Sequence, residues 1–256
     1  MQPHTIPILK KAITLLNAVA SDQEAQTTAK ALSQTLKIPP STTYRILQTF
    51  LAEDWVRQTS KGQHELSLGL LPLLQPLARH ELLVETCRPI LTKLAVDTGL
   101  SVKLSVRQGE HAVSVLRAES PRETSVTVRV GSVFHLTLGS SGTVLMSELS
   151  AKESQHLIDH APKECWTHQT PLDVKKRIAT FRRSGVCADF GGYQPSVYAL
   201  SAAVRDGSGI IVGTVTMVGF SHDFTGRHRN AHAKHLIAAT TACSNQLQRM
   251  APSSAK

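Results

Sequence analysis

The chain has 256 residues, 41% of them hydrophobic, and carries a formal net charge of +9. That is enough apolar material for one large core or two ordinary ones, and no apolar run approaches the roughly 20 residues that cross a bilayer. A basic balance favours a polyanionic partner such as nucleic acid, but it is dispersed. Residues 1–80 hold 8 Lys and Arg against 5 Asp and Glu, a net of +3, and the remainder holds 20 against 14, a net of +6. Local pattern must therefore carry any nucleic-acid argument. The four cysteines, Cys87, Cys165, Cys187 and Cys243, form no CxxC pair; they read as buried thiols rather than a disulfide framework. Met1 to Lys11 lacks an apolar core followed by a small-residue cleavage site, so no signal peptide and a cytoplasmic location are expected.

Leu9, Ala12, Ile13, Leu16 and Val19 recur at helical spacing and predict a first helix with one apolar face, ended by the polar turn Ser21-Asp22-Gln23-Glu24. A second helix starts near Thr27 or Thr28, each a suitable N-cap, with Ala29, Leu32 and Leu36 inside. A third opens on Pro39-Pro40-Ser41, where proline suits the first turn, and runs to about Asp54 with Ile46, Leu47, Phe50 and Leu51 inward. Only Lys37-Ile38-Pro39 joins the last two, the spacing of a helix-turn-helix. Trp55–Gln58 and His64–Leu66 then predict two short strands around the turn Thr59-Ser60-Lys61-Gly62-Gln63, which make a wing.

The start of the third helix predicts contact with duplex DNA. Ser41, Thr42 and Thr43 are expected to be exposed there, with Tyr44 and Arg45 just behind. Small hydroxyls let a helix end enter the major groove, Arg45 suits guanine O6/N7 or a phosphate, and the helix N-terminus favours phosphate. Thr27 and Thr28 join this surface, and Lys61 and Gln63 at the wing tip reach the backbone or minor groove. The run from Ala31 to Leu47, followed by Trp55-Val56-Arg57 and its hairpin, resembles the IclR family of bacterial transcription regulators. Lys37 departs from that pattern, which has Gly at the helix end; a left-handed Lys costs about 1–2 kcal/mol more.

Leu70 to Arg79 is apolar and broken by Pro72 and Pro76, so an interrupted linker helix is expected over 69–80. It separates a DNA-binding domain, 1–68, from a second domain, 81–251, with a tail at 252–256. In the second domain Glu81 to Thr98 predicts a helix capped by Gly99. Val102–Arg107 and Ala112–Arg117 predict a hairpin, and Ser125–Val130 a third strand. Gly139-Ser140-Ser141-Gly142 reads as a loop ahead of a helix, and further helices are expected at Ala151–His160 and Pro171–Ser184. Two late strands, Val197–Arg205 and Ile210–Gly219, precede a last helix over Arg229–Met250. The order predicts an α+β fold, an antiparallel sheet with packed helices.

This half also resembles the IclR family, through Arg88-Pro89-Ile90-Leu91 to Thr98-Gly99, Val130-Gly131, Gly185 to Pro195, and Ile211 to Gly219. The resemblance implies a GAF-like effector-binding domain. Backbone N–H groups of Gly139, Ser140, Ser141 and Gly142 suit a carboxylate, and by the resemblance this loop holds that of the effector. Asp189 then matches a pocket acid, and Thr216 a pocket hydroxyl. Where the family often has an acidic pair this chain has Phe190-Gly191-Gly192-Tyr193, and Ala199 replaces a pocket Cys. Both departures favour a larger or more apolar acid.

Nothing in the sequence specifies a cofactor. Gly207-Ser208-Gly209 with Gly213 lacks a third glycine and a following helix, so it fails as a dinucleotide motif. His80-Glu81 lacks the second His of H-E-x-x-H, and residues 139–142 do not make a G-x-S-x-G elbow. His228, His232 and His235, with His222 upstream, have chelating spacing, but only Asp223 lies near to support them, and no metal site is expected. The expected function is an effector-modulated, sequence-specific DNA-binding regulator, a repressor rather than an activator and not an enzyme. It acts on a palindromic operator as a homodimer or dimer of dimers, with a small organic acid as effector. A metal-dependent hydrolase and an effector-independent architectural DNA-binding protein are the alternatives.

Overall fold

The structure is a computed structural model that describes residues 5–21, 27–74 and 78–250. The chain divides into two compact units, Met1–Ala78 and Arg79–Lys256. The polar turn expected at Asp22 to Glu24, the break expected at Pro76 and the tail lie outside the described residues.

The first unit packs three helices and a hairpin. Helix α1 (Pro7–Ala20) buries Leu15 and Val19, with Ala12 and Leu16 packed beside them. Leu9 and Ile13 were expected on this inner face. Instead they are more than half exposed and, with Ile6, form a second apolar stripe turned outward. One helix carrying apolar residues around much of its girth has two faces to cover, and this unit covers one. Helix α2 (Ala29–Leu36) is capped by Thr28, whose hydroxyl accepts the Ala31 N–H. It ends at Lys37 in the left-handed conformation, φ 53°. The Ile38 N–H reaches the Ser33 carbonyl and the Lys37 N–H the Gln34 carbonyl, the paired bonds of a Schellman cap. The Ser33 hydroxyl closes the turn on the Ile38 carbonyl at 2.7 Å. Helix α3 (Pro40–Ala52) follows at once, with Thr43, Ile46, Leu47 and Phe50 buried. Strands β1 (Val56–Gln58) and β2 (His64–Leu66) pair as the wing. A 3-10 turn at Leu68–Leu70 and the short helix α4 (Leu71–Leu74) come next, at the start of the segment where an interrupted linker helix is expected.

The second unit begins in α5 (Ala78–Thr98), which Gly99 ends with a left-handed φ of 67°. Strands β3 (Ser101–Gln108), β4 (His111–Ala118), β5 (Val133–His135), β6 (Cys187–Gln194), β7 (Val197–Arg205) and β8 (Ile211–Phe220) form one antiparallel sheet, ordered β5-β4-β3-β8-β7-β6. Alternation along the strands gives the sheet two different faces. Val102, Leu104, Leu200, Ala202, Val215 and Met217 belong to the main core, with α5 residues and with Leu236, Ala239 and Cys243 of α9 (Gly226–Met250). The opposite face presents Lys103, Ser114, Ala199, Ser201 and Thr216. Helices α6 (Gly139–Met146), α7 (Ala151–Asp159) and α8 (Pro171–Ser184) pack over it through a second apolar cluster that includes Leu136, Met146, Ile158 and Val174. The four cysteines are buried free thiols.

Two strand expectations change. Residues 125–130 alternate like a strand but do not join the sheet; the third strand is β5, further on. The preceding segment is held by other means. Arg117 donates to the Val128 carbonyl at 2.9 Å, and Gly131, at φ 82°, turns the chain so that its N–H meets the Ser114 carbonyl. Alternation marks a chain that fits a pleated surface, but only a free partner edge makes it a strand. Residues 187–194 carried no such pattern, because β6 bends through Gly191 and Gly192 at an irregular register.

Candidate functional site

Two surfaces gather the residues singled out in the sequence. On α3, Ser41, Tyr44 and Arg45 are exposed and Thr42 is half-buried. Thr43 is corrected: it is fully buried, and its hydroxyl points at the Ile38 carbonyl, 3.4 Å away. Position 43 shares the i, i+3, i+4, i+7 stripe with Ile46, Leu47 and Phe50, so it faces the core. The complementary stripe runs Ser41, Tyr44, Arg45 and Gln48. Gln48, exposed and one turn beyond Tyr44, was missed, although that spacing marked it. Arg45 makes no ion pair among the described residues. Thr28 caps α2. The Thr27 carbonyl takes both the backbone N–H of His64, at 3.1 Å, and a contact from its Nδ1, at 2.9 Å, which fastens the wing to the start of α2. At the wing tip Lys61 is exposed and Gln63 half-buried, and Arg57 bridges to Glu65 across the strands at 2.9 Å.

The second surface is a cavity of about 310 Å³ between the polar sheet face and α6. Gly139, Ser140, Ser141, Asp189 and Thr216 line it. The glycine-serine stretch is not a loop before a helix; it is the first turn of α6 itself. The N–H groups of a first helical turn have no intrahelical acceptor, and no side chain caps them here. Gly139 takes φ 66°, a conformation that favours glycine. Gly142 does not line the cavity. Its α-carbon is pressed against the Leu136 carbonyl, which leaves no room for a side chain. Ser140 Oγ lies 2.7 Å from Ser201 Oγ, which lies 2.8 Å from Thr216 Oγ1, so three hydroxyls form a relay from helix to sheet. The Ser141 hydroxyl makes no hydrogen bond among the described residues, although the residue is buried and lines the cavity.

Asp189 is already engaged. Its Oδ1 pairs with Arg177 at 3.2 Å, and its Oδ2 accepts the Tyr193 N–H at 3.0 Å. Burial pushes its carboxyl above the usual range, opposed by the Arg177 guanidinium and by the Tyr193 and Gly192 amides. The turn through Gly191 and Gly192 thus wraps the one carboxylate. Arg177 also donates to the Thr143 hydroxyl at 3.2 Å, to the Thr137 carbonyl at 3.4 Å, and to Gln169. It ties α6, α8 and β6 together, yet the sequence reading missed it. The signal was a basic residue three positions after Val174 and four before Phe181, on the buried stripe of α8.

Lys103, also missed, lines the cavity and is half-buried. Its Nζ lies 4.2 Å from the centroid of the Phe134 ring, a cation–π distance. Burial lowers its pKa to about 8, and among the described residues no carboxylate pairs with it to hold the charge. In strand β3 it stood in an alternation with Ser101, Ser105 and Arg107 against Val102, Leu104 and Val106, which puts it on the face away from the main core.

His228, His232 and His235 of α9 line one cleft with His222 and Asp223, but not as a set of metal ligands. His228 and His235 are exposed, and buried His232 meets the Asp223 carbonyl through Nε2 at 3.2 Å. The Asp223 carboxylate pairs with Arg122 at 2.6 Å. Among the described residues no three His, Cys, Asp or Glu side chains are placed to hold a metal ion, and none of the helices is long and apolar enough to cross a membrane.

A helix-turn-helix with a wing, joined in one chain to a sheet domain that encloses a small cavity, defines a DNA-binding transcription regulator. The profile of the IclR helix-turn-helix domain matches residues 8–60, and that of the bacterial transcriptional regulator IclR C-terminal domain matches residues 75–245. The chain belongs to the IclR family of bacterial transcriptional regulators, which are not enzymes. Relatives include the HTH-type transcriptional repressor AllR of Escherichia coli K12, 24% identical over 198 residues that cover 76% of this chain and 73% of the relative. Among solved structures, the Thermotoga maritima IclR has a TM-score of 0.74 at 17% identity, covering 95% of this chain and 99% of that one. An IclR homologue from Microbacterium hydrocarbonoxydans complexed with 4-hydroxybenzoate has a TM-score of 0.72 at 14% identity, covering 94% and 98%.

Proposed function

We propose that the protein is a homo-oligomeric repressor whose affinity for a palindromic operator is set by a small carboxylate-bearing effector in the α6 cavity. The observation that carries this reading is the first turn of α6. Free backbone N–H groups, the unpartnered Ser141 hydroxyl and the Ser140–Ser201–Thr216 relay face a cavity of about 310 Å³, within the size range of small-molecule sites. The effector's carboxylate meets that turn. Asp189, its own oxygens engaged, places Arg177 and the Tyr193 amide rather than binding the anion. The Microbacterium homologue's aromatic acid and the repressor name of the Escherichia relative point the same way. An architectural protein has no use for such a cavity.

DNA contact falls to Ser41, Thr42, Tyr44 and Arg45 of α3, to the Thr27–Thr28 start of α2, and to Lys61 and Gln63 of the wing. Oligomer formation is supported by the outward apolar stripe of Ile6, Leu9 and Ile13 and by exposed Leu68, Leu71 and Leu73, since large exposed apolar patches mark interaction sites. Residues 69–80 act as the linker, and the protein works in the cytoplasm. A melting screen of the full chain against aliphatic and aromatic acids tests the effector reading. A bound acid stabilises the protein by about 2.7 kcal/mol at 100 times its Kd. The expected outcome is a raised Tm with at least one acid, abolished by filling the cavity with Ser141→Leu. An unchanged Tm with every acid refutes the reading.

A further inference from the structure

The cavity has a second pole, away from α6. Lys103 sits on β3 opposite Thr216 of β8. Its side chain runs from there toward the sheet edge, where Nζ stands over the ring of Phe134 on β5. Arg129 lines the same end, in a segment pinned to β4 by the paired bonds of Ser114 with Gly131 and Ser132. Among the described residues the single carboxylate in the cavity wall, Asp189, belongs to β6 at the opposite end of the sheet and is paired with Arg177. Among the described residues that line the cavity, the β4–β5 end therefore offers two cations, half-buried Lys103 and exposed Arg129, and no carboxylate. A cation withdrawn from water without a counter-charge is unfavourable, and a ring face compensates only in part.

We propose that Lys103, with Arg129, forms a second anion subsite, so that the effector is a dicarboxylate held at both ends. This rests on the effector reading above and deepens it. The α6 turn stands over β7 and β8, whereas Lys103 Nζ reaches across β4. From β8 to β5, whose Phe134 ring Nζ covers, is three strand spacings, about 14 Å. A hydrogen-bonding distance of about 3 Å at each end leaves about 8 Å between the two acids, a gap that fits a dicarboxylic acid of about six carbons, or one aromatic ring with acids at opposite positions. The stretch between is apolar, with Val197, Ala199 and Val218 in its wall.

Calorimetric titration of the full chain with matched pairs, adipate against hexanoate and terephthalate against benzoate, tests this without any variant. The expected result is a diacid affinity at least tenfold above that of its monoacid partner. In Lys103→Met, and in Lys103→Gln as a second replacement, the diacid falls to the monoacid affinity while the monoacid changes less than about twofold; Lys103→Arg retains the preference. Equal wild-type affinities for mono- and diacid overturn this proposal and leave the effector reading intact. Equal losses for both acids in the Lys103 variants also overturn it, because the lysine is then structural. Failure of all four acids to bind the wild type refutes the subsite, and the silent melting screen then separately refutes the effector reading.

Discussion

Gly142 has no room for a β-carbon, because the Leu136 backbone fills the space. Gly142→Ala forces α6 away from that strand end, so a stability loss of about 1–3 kcal/mol is expected, read as a lower Tm, together with weaker acid binding. Thr43 and Ser41 separate in the same way. Thr43→Ala removes a buried methyl and hydroxyl and is expected to destabilise by about 1–2 kcal/mol, whereas Ser41→Ala leaves the Tm unchanged and weakens DNA binding. Melting curves and fluorescence anisotropy on one set of variants distinguish them. Lys103 gives a pH signature. Its pKa, lowered from 10.5 to about 8, means that the folded protein has released a proton that the unfolded chain still holds between those values. Stability from this group therefore rises with pH above about 8 and is lowest, fully penalised, below it. A carboxylate beside it restores the charge. Acid binding at pH 8.5 is expected to take up protons, measurable by calorimetry in buffers of different ionisation enthalpy, and Lys103→Met is expected to abolish the uptake. Uptake that persists in the variant contradicts the assignment.

At the scale of elements, α3 shows what a stripe decides. Its buried set is spaced i, i+3, i+4, i+7 from Thr43, and its exposed set follows from Ser41 through Arg45 to Gln48. Arg45→Ala is expected to weaken DNA binding by roughly 1–3 kcal/mol and to relax specificity at one base pair if it reads guanine, with acid binding unchanged. Loss of both functions points instead to unfolding. The helices and the β3–β4 hairpin were legible because their periodicity and caps are local. The first-turn residues of α6 were legible as chemistry, Gly and Ser before an apolar run, though not as helix. Three features were not legible. Thr43 looks like Ser41 and Thr42 by type, and only its phase on the helix buries it. Residues 125–130 alternate like a strand, but β4 meets this segment through the Arg117 side chain and the turn at Gly131 rather than through a ladder. Lys103 lies far in sequence from Phe134, which the sheet order brings under it, and Arg177 of α8 meets Asp189 of β6 only because the chain turns back between them.

At the scale of the molecule, charge is spread rather than focused. The first 80 residues carry a net of +3, which is modest for a lone DNA-binding unit, because affinity for duplex DNA rests largely on phosphate contacts. In the proposed oligomer, two copies reading half-sites about 34 Å apart, or a multiple of that, would supply the rest. The outward stripe of α1 is expected to matter here. Ile13→Glu should lower the oligomeric state in sedimentation and weaken operator binding, with little change in the fold. An effector can shift this assembly only by binding two arrangements with different affinity. The decisive measurement is the affinity of the full chain for DNA selected from random sequence, titrated with and without a diacid that raises its Tm. The predicted result is a change of at least about tenfold in operator affinity that Ser141→Leu removes while DNA binding without the acid persists. An operator affinity that stays the same under saturating acid contradicts the account.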